Sequence, residues 1–276
     1  MPFLTEPEPE RGARLEILPG ISRIVANNPG PMTFFGTNTW LIDSADGTIV
    51  LDPGPEDDPE HIEAILRHTD GKVALIVVSH THHDHVGAVP ALKAATGART
   101  VGFRTSAIDT FQADIKLDHG DTIAGMTALH TPGHRSDHLC FSLPRQDETI
   151  LFSADHVMSW STSVVSPPDG NMAHYFNSLK VLLDRDEAAY LPGHGPLLRN
   201  PQNLVREMLT HRVLREQSIL KKLTEGPTDP AAIVDKLYRG LKPRLHKAAE
   251  RSVLAHLLKL EEEGKATRDG DVWVSV

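Results

Sequence analysis

Five times in its first 200 residues this chain of 276 residues runs a short apolar or β-branched stretch into a turn that carries Asp or His. The stretches are Thr48–Leu51 before Asp52, Val73–Val78 before His80, Met126–Leu129 before His134, Thr149–Phe152 before Asp155 and Ala189–Leu191 before His194. Apolar runs of this length, bounded by Gly, Pro or Asp, predict buried strands. Helical stretches lie between some of them, at Pro59–Arg67 and Val86–Ala95. The class expected is therefore α/β, with sheets covered by helices.

From Pro201 the texture changes. Leu204–Leu223, Pro230–Tyr238 and Arg244–Leu260 read as helices, and Ala266–Arg268 with Val272–Val274 flank the turn pair Asp269-Gly270. Three helices followed by a hairpin describe a winged helix, so two units are expected, 1–200 and 201–276. Charge divides the same way: Asn200–Val276 holds 14 Lys and Arg against 11 Asp and Glu, a tail of +3 in a chain of −9. The Pro- and Glu-rich first ten residues are expected to be disordered. No apolar stretch approaches the roughly 18 residues of a membrane span, and Met1–Arg14 carries Glu6, Glu8 and Glu10 where a signal peptide needs a basic start. A cytoplasmic protein without membrane attachment is expected. The lone Cys140 cannot close an intrachain disulfide, which fits a reducing compartment.

The chemistry concentrates in Ser79-His80-Thr81-His82-His83-Asp84-His85, with five candidate ligands among six residues. On a turn leaving a strand, His80 and His82 point the same way and can grip one cation. Asp84 and His85 open the next helix and face a second. Imidazole and carboxylate donors without a thiolate suit Zn²⁺ best, with Mn²⁺ or Fe²⁺ as alternatives. A solvated His-rich loop is the bland alternative.

The set resembles the metallo-β-lactamase superfamily, whose signature His-x-His-x-Asp-His is followed by a separate His, an Asp and a last His. His134, Asp155 and His194 stand in that order. The resemblance implies an αββα sandwich holding two metals, the first on His80, His82 and His134, the second on Asp84, His85 and His194, with Asp155 bridging. It also implies a metal-bridging hydroxide as nucleophile, which Asp84 or Asp155 orients or deprotonates. Asp52 would steady a ligand imidazole from behind, although a plain turn-forming Asp before Pro-Gly reads nearly as well. His138, four residues after His134, is a candidate acid for the leaving group, or a structural hydrogen-bonding histidine. His83 occupies a variable position of the motif, and His119 and His130 are expected at the surface or in structural roles.

Asn28–Thr33, Gly36–Leu41, Asp137-His138 and His211-Arg212 with Arg215-Glu216 are similar to the lactamase-beta-2-like group. That group includes an endoribonuclease for single-stranded RNA and fungal thioesterases acting on carrier-bound polyketides, and it ends in a winged helix. Three functions compete on these residues. A phosphodiesterase on single-stranded RNA comes first, with Phe34, Phe35 and Trp160 as candidate base platforms. A thioesterase or glyoxalase-II-like hydrolase of small thioesters comes second, with Arg104 or Arg135 as the cationic contact. A DNA-binding regulator comes third, using Lys242, Arg244, Lys247 and Arg251 and opposed by Glu261–Glu263. A homodimer supported by the helical tail is a further expectation.

Overall fold

The computed structural model describes residues 3–276, with the side chain of Arg244 outside the described residues. Strands β1 (Leu15–Leu18), β2 (Ile21–Val25), β3 (Asn38–Ser44) and β4 (Gly47–Leu51) form an antiparallel meander. Helix α1 (Pro59–His68) then crosses over to β5 (Val73–Val77), and helices α2 (His83–Val86) and α3 (Val89–Thr96) cross to β6 (Arg99–Phe103) and on to β7 (Ile115–Leu117). These last additions are parallel, and the seven strands lie in chain order.

The second sheet takes β8 (Thr122–Ile123), β9 (Met126–His130), β10 (Leu139–Pro144) and β11 (Thr149–Ala154) as hairpins. Helix α4 (Met172–Leu183) leads to the parallel β12 (Ala189–Pro192), and β13 (Leu198–Arg199) closes that edge.

Alternation along the strands makes the layers. Trp40, Ile42, Ile49, Leu51 and Val77 point to one side and meet Phe141, Ile150, Phe152 and Leu191 of the other sheet. Their neighbours Leu41, Val50 and Ile76 point the opposite way, onto Ile65, Val86 and Leu92 of the helices. On the second sheet Leu129, Cys140, Leu151 and Tyr190 turn outward against Tyr175 and Leu179 of α4. The result is helix, sheet, sheet, helix. Each large side chain removed from water in such a core contributes about 1.5–3 kcal/mol before entropy is counted.

Helix α5 (Gln202–Leu223) belongs to two cores. Its first turns place Leu204, Val205 and Met208 against α4, while Ile219 and Leu223 join a separate cluster. That cluster is completed by α6 (Pro230–Leu237), α7 (His246–Glu262) and the hairpin β14 (Ala266–Asp269) to β15 (Val272–Ser275), with Trp273 buried at its centre. The winged helix expected from sequence is present, but packing does not part at residue 200.

Three local expectations change. The stretch Val86–Ala95 is broken, because Gly87 passes so close to the backbone of Pro55 and Glu56 that a Cβ would lie 2.6 Å from Glu56 N, and α3 restarts with Pro90 in its first turn. Pro243–Leu245 forms a short 3₁₀ turn before α7 begins at His246. Of the first ten residues, expected to be disordered, Met1 and Pro2 lie outside the described residues, and the segment after them is tied down: Leu4 N–H donates to Ser159 O at 2.9 Å, Glu6 pairs with buried Arg23, and just beyond it Arg11 Nη1 donates to Ala26 O at 2.6 Å. Charge distant in sequence supplied partners that composition could not reveal. No described helix is long and apolar enough to cross a membrane.

Candidate metal centre

All seven residues predicted as ligands converge at the ends of strands from both sheets. His80 and His82 follow β5, Asp84 and His85 lie in α2, His134 follows β9, Asp155 follows β11 and His194 follows β12. Two donor sets result, His80 with His82, His134 and Asp155, and Asp84 with His85 and His194. In the first, His82 Nδ1 lies 3.0 Å from His80 Nε2 and 2.9 Å from His134 Nε2. In the second, His194 Nε2 lies 3.3 Å from Asp84 Oδ2, and His85 Nε2 lies 3.6 Å from the same oxygen.

Asp155 stands between the sets. Its Oδ2 is 3.5 Å from His134 Nε2, while its Oδ1 is 3.5 Å from His85 Nε2 and 3.4 Å from His194 Nε2. Donors around a cation held at about 2.0–2.1 Å in a tetrahedron stand roughly 3.3 Å apart, so these spacings fit two ions sharing one carboxylate. His85 Nε2 and Asp155 Oδ1 are buried without a hydrogen-bond partner. Such atoms are costly unless something pairs with them, and a cation would.

The outer atoms of the rings are fixed by the protein. His85 Nδ1–H donates to Asp52 Oδ2 at 2.9 Å, and Ser79 Oγ–H donates to the same oxygen at 2.6 Å. His80 Nδ1 meets that serine oxygen at 3.0 Å. Asp52 therefore steadies a ligand in each set, and it does so from a left-handed backbone, φ 55°. His134 Nδ1–H donates to Val164 O at 2.5 Å and His194 Nδ1–H to Gly36 O at 3.1 Å. Asn38 explains part of the Gly36–Leu41 motif: its side-chain amide donates to Pro192 O and Gly195 O at 3.0 and 2.8 Å, which pins the turn bearing His194.

Electrostatics favours the ligand forms of the first-set histidines and of both carboxylates, while, against burial, the acidic neighbours of His85 and His194 raise those two rings, which must give up a proton to a bound cation. Burial keeps His80 well below the ordinary histidine pKa and His134 lowered, and it takes His82 to about 3, which favours neutral imidazoles in this set. Burial would raise Asp155 and Asp84, but His194 and His85 hold both carboxyls below the usual carboxylate range. Burial would lower His194, yet Asp155 and Asp84 bring it to about 9.

Other expectations are placed differently. His138 is fully buried, with Nδ1 2.9 Å from Thr131 Oγ1 and its ring stacked behind His80 at 5.0 Å. It does not line the cavity over the metal cluster, and burial first, then nearby His156 and His134, holds its pKa well below the ordinary value. Buried away from that cavity and bonded to Thr131, it fits the structural reading. Phe34 packs against Phe35 and Trp160, with ring centres 4.2 and 5.1 Å apart and the planes tilted, and all three are half-buried. Arg135 lines the cavity, whereas exposed Arg104 pairs with Asp118. Lys242 and Lys247 are exposed. Arg251, however, turns toward the catalytic half and donates to Ser166 Oγ and Pro167 O, while the side chain of Arg244 lies outside the described residues.

Residues 32–194 match the metallo-beta-lactamase superfamily, and residues 230–273 match the beta-lactamase associated winged helix domain. The chain belongs to the metallo-β-lactamase superfamily. Among its relatives, "Beta-lactamase-like protein 2 homolog" of Drosophila melanogaster is 33% identical, the match covering 89% of each chain. "Atrochrysone carboxyl ACP thioesterase" of Aspergillus chevalieri is 31% identical over 78% of this chain and 72% of that one. A solved beta-lactamase domain protein from Burkholderia ambifaria shares the fold with a TM-score of 0.80 at 22% identity, covering 97% of this chain and 95% of that one. The superfamily's hydrolase fold and a His/Asp cluster able to hold metal ions are thus present together.

Sequence reasoning missed the segment Ser163–Gly170, which contributes Val164, Ser166, Asp169 and Gly170 to the cavity wall. It has no titratable cluster and no apolar period, and only its Pro167-Pro168 pair marks it.

Proposed function

We propose that this chain is a dinuclear metal-dependent hydrolase acting on an acyl thioester of small or medium size. The observation that carries the substrate class is the cavity over the donor sets, about 280 Å³, whose wall includes Met32, Met158 and Val164 with Arg135 as its cation. A pocket of that size and lining suits an acyl chain with one polar end. A single-stranded nucleic acid needs a cationic track and free aromatic faces. Here the aromatic residues pack against each other, and the chain as a whole is acidic. The order of the two readings expected from sequence is therefore reversed. The thioesterase among the relatives supports the same direction.

Zn²⁺ fits the nitrogen and carboxylate donors best, with Mn²⁺ or Fe²⁺ as alternatives, and such ions when bound acidify water and polarise the carbonyl under attack. Asp155 would hold both ions. Asp84 is the more open of the two carboxylates in the donor sets, 25% exposed against 9% for Asp155, and ionised beside His85 and His194. Its carboxylate, steadied by Thr37 Oγ1 donating to Oδ2 at 3.2 Å, would orient the attacking water and take its proton. Arg135, with Asp169 at 3.4 Å, offers donors to the polar end of the substrate.

The test assays wild type and Asp84→Ala side by side on acyl thioesters and on labelled single-stranded RNA. Thioester cleavage that falls about 10³-fold or more in the variant, with RNA untouched by both proteins, is the expected result. RNA cleavage lost in the variant, with thioesters intact, would establish the ribonuclease reading instead.

A further inference from the structure

Helix α5 lies outside residues 32–194, yet one of its side chains holds a backbone carbonyl next to residues that touch the metal cluster. Arg212 is only 5% exposed. Its Nη2 donates to Ser163 O, its Nη1 donates to Ser252 Oγ of α7 at 3.2 Å, and its guanidinium lies 5.5 Å from the centre of the Tyr175 ring. No carboxylate among the described residues forms an ion pair with it. An interior cation held by a carbonyl, a hydroxyl and a ring is costly to keep, which asks what the arrangement does.

The answer lies one residue on. Val164 O accepts from His134 Nδ1 at 2.5 Å, and Ser163 Oγ–H donates to Asp155 O at 2.5 Å. Two adjacent residues thus touch a histidine of the first donor set and the carboxylate residue between the sets. Thr162–Ser166 has neither helix nor sheet ladder to set the direction of its carbonyls. Side-chain anchors do that work, and Arg212 is the buried one that reaches in from α5.

We propose that Arg212 is a positioning residue for the metal centre. It fixes Ser163–Val164 so that the Val164 carbonyl holds the His134 ring in the tautomer and orientation that turn Nε2 toward His82 and Asp155. Through Ser252 the same guanidinium ties the winged helix to metal affinity. This inference rests on the reading of the cluster as a metal site.

The experiment measures Zn²⁺ affinity of the full chain by competition with a chromophoric chelator, for wild type, Arg212→Met and Arg212→Lys. Thermal unfolding of each metal-free protein and the imidazole N–H resonances of His134 are recorded beside it. In Arg212→Met one of two zinc equivalents is expected to weaken about 10–100-fold, the range for lost outer partners of a ligand. The His134 Nδ1–H resonance should broaden or vanish, and kcat should fall more than KM rises. Arg212→Lys, which still donates to Ser163 O, should recover part of each. Zinc affinity within twofold of wild type and an unchanged His134 resonance, whatever the unfolding temperature, would overturn the proposal. Should Arg212→Met not fold, the same outcome in Arg212→Lys overturns it. A wild type that binds no zinc would instead remove the metal reading, and this inference with it.

Discussion

Gly193 offers a steric test of the metal centre that leaves every ligand in place. Its φ lies outside the left-handed region, so alanine suits the backbone. An added Cβ, however, would lie 2.4 Å from Asp155 Oδ1 and 2.8 Å from His85 Cε1. The backbone cannot yield easily, because Gly193 N–H donates to Ala154 O at 2.9 Å and Gly193 O accepts from Asn38 N at 2.7 Å. Relief to van der Waals distance then needs the Asp155 carboxylate to move by about 1 Å, while metal–ligand distances tolerate only about 0.2 Å. A misplacement of that size costs on the order of 10²-fold in rate, about 2.7 kcal/mol of transition-state stabilisation. The fold should lose only about 1–2 kcal/mol, overpacking being partly offset by the stiffer unfolded chain. Steady-state kinetics, metal content and urea unfolding of Gly193→Ala measure all three. Turnover and metal content within twofold of wild type would refute the reasoning.

Two further outcomes follow from buried groups. His61 and His256 are both buried, and burial lowers each from 6.5 to about 4, although Asp58 and Glu216 respectively pull upward. Between those values the unfolded chain binds protons that the fold refuses, so stability is full above pH 6.5 and is lost as pH falls toward 4. Each should cost about 2 kcal/mol between pH 7 and pH 5, and urea unfolding of the metal-free protein with the same midpoint at both would contradict it. Cys140 is fully buried and its thiol is pushed up to about 12. Native protein should therefore leave a thiol reagent unconsumed until denaturant is added, and rapid modification of the folded chain would show the packing to be wrong.

The parts legible in sequence are those whose signal is local. Val73–Val77 is apolar over its whole length because both its faces are covered, and His80 to His85 follow it directly, so strand and ligands could be read from one window. The bridging place of Asp155 came from resemblance, and the two oxygens facing different rings supply its physical basis. What remained illegible depends on partners distant in the chain. His138 sits where spacing allows a catalytic acid, but only the third dimension reveals it packed against His80 and absent from the cavity wall. Arg212 stood out as part of a motif, and its contact with Ser163 spans 49 positions. Arg251 looked like a DNA contact until the loop at Ser166 lay under it.

Metal content tests the central claim most directly. Protein purified without added metal, then titrated with zinc or manganese and measured by elemental analysis, should hold about two ions per chain on the His80, His82, His134 and Asp84, His85, His194 sets. Thioester cleavage should rise with the bound metal. A content near zero that neither cation raises would contradict the account.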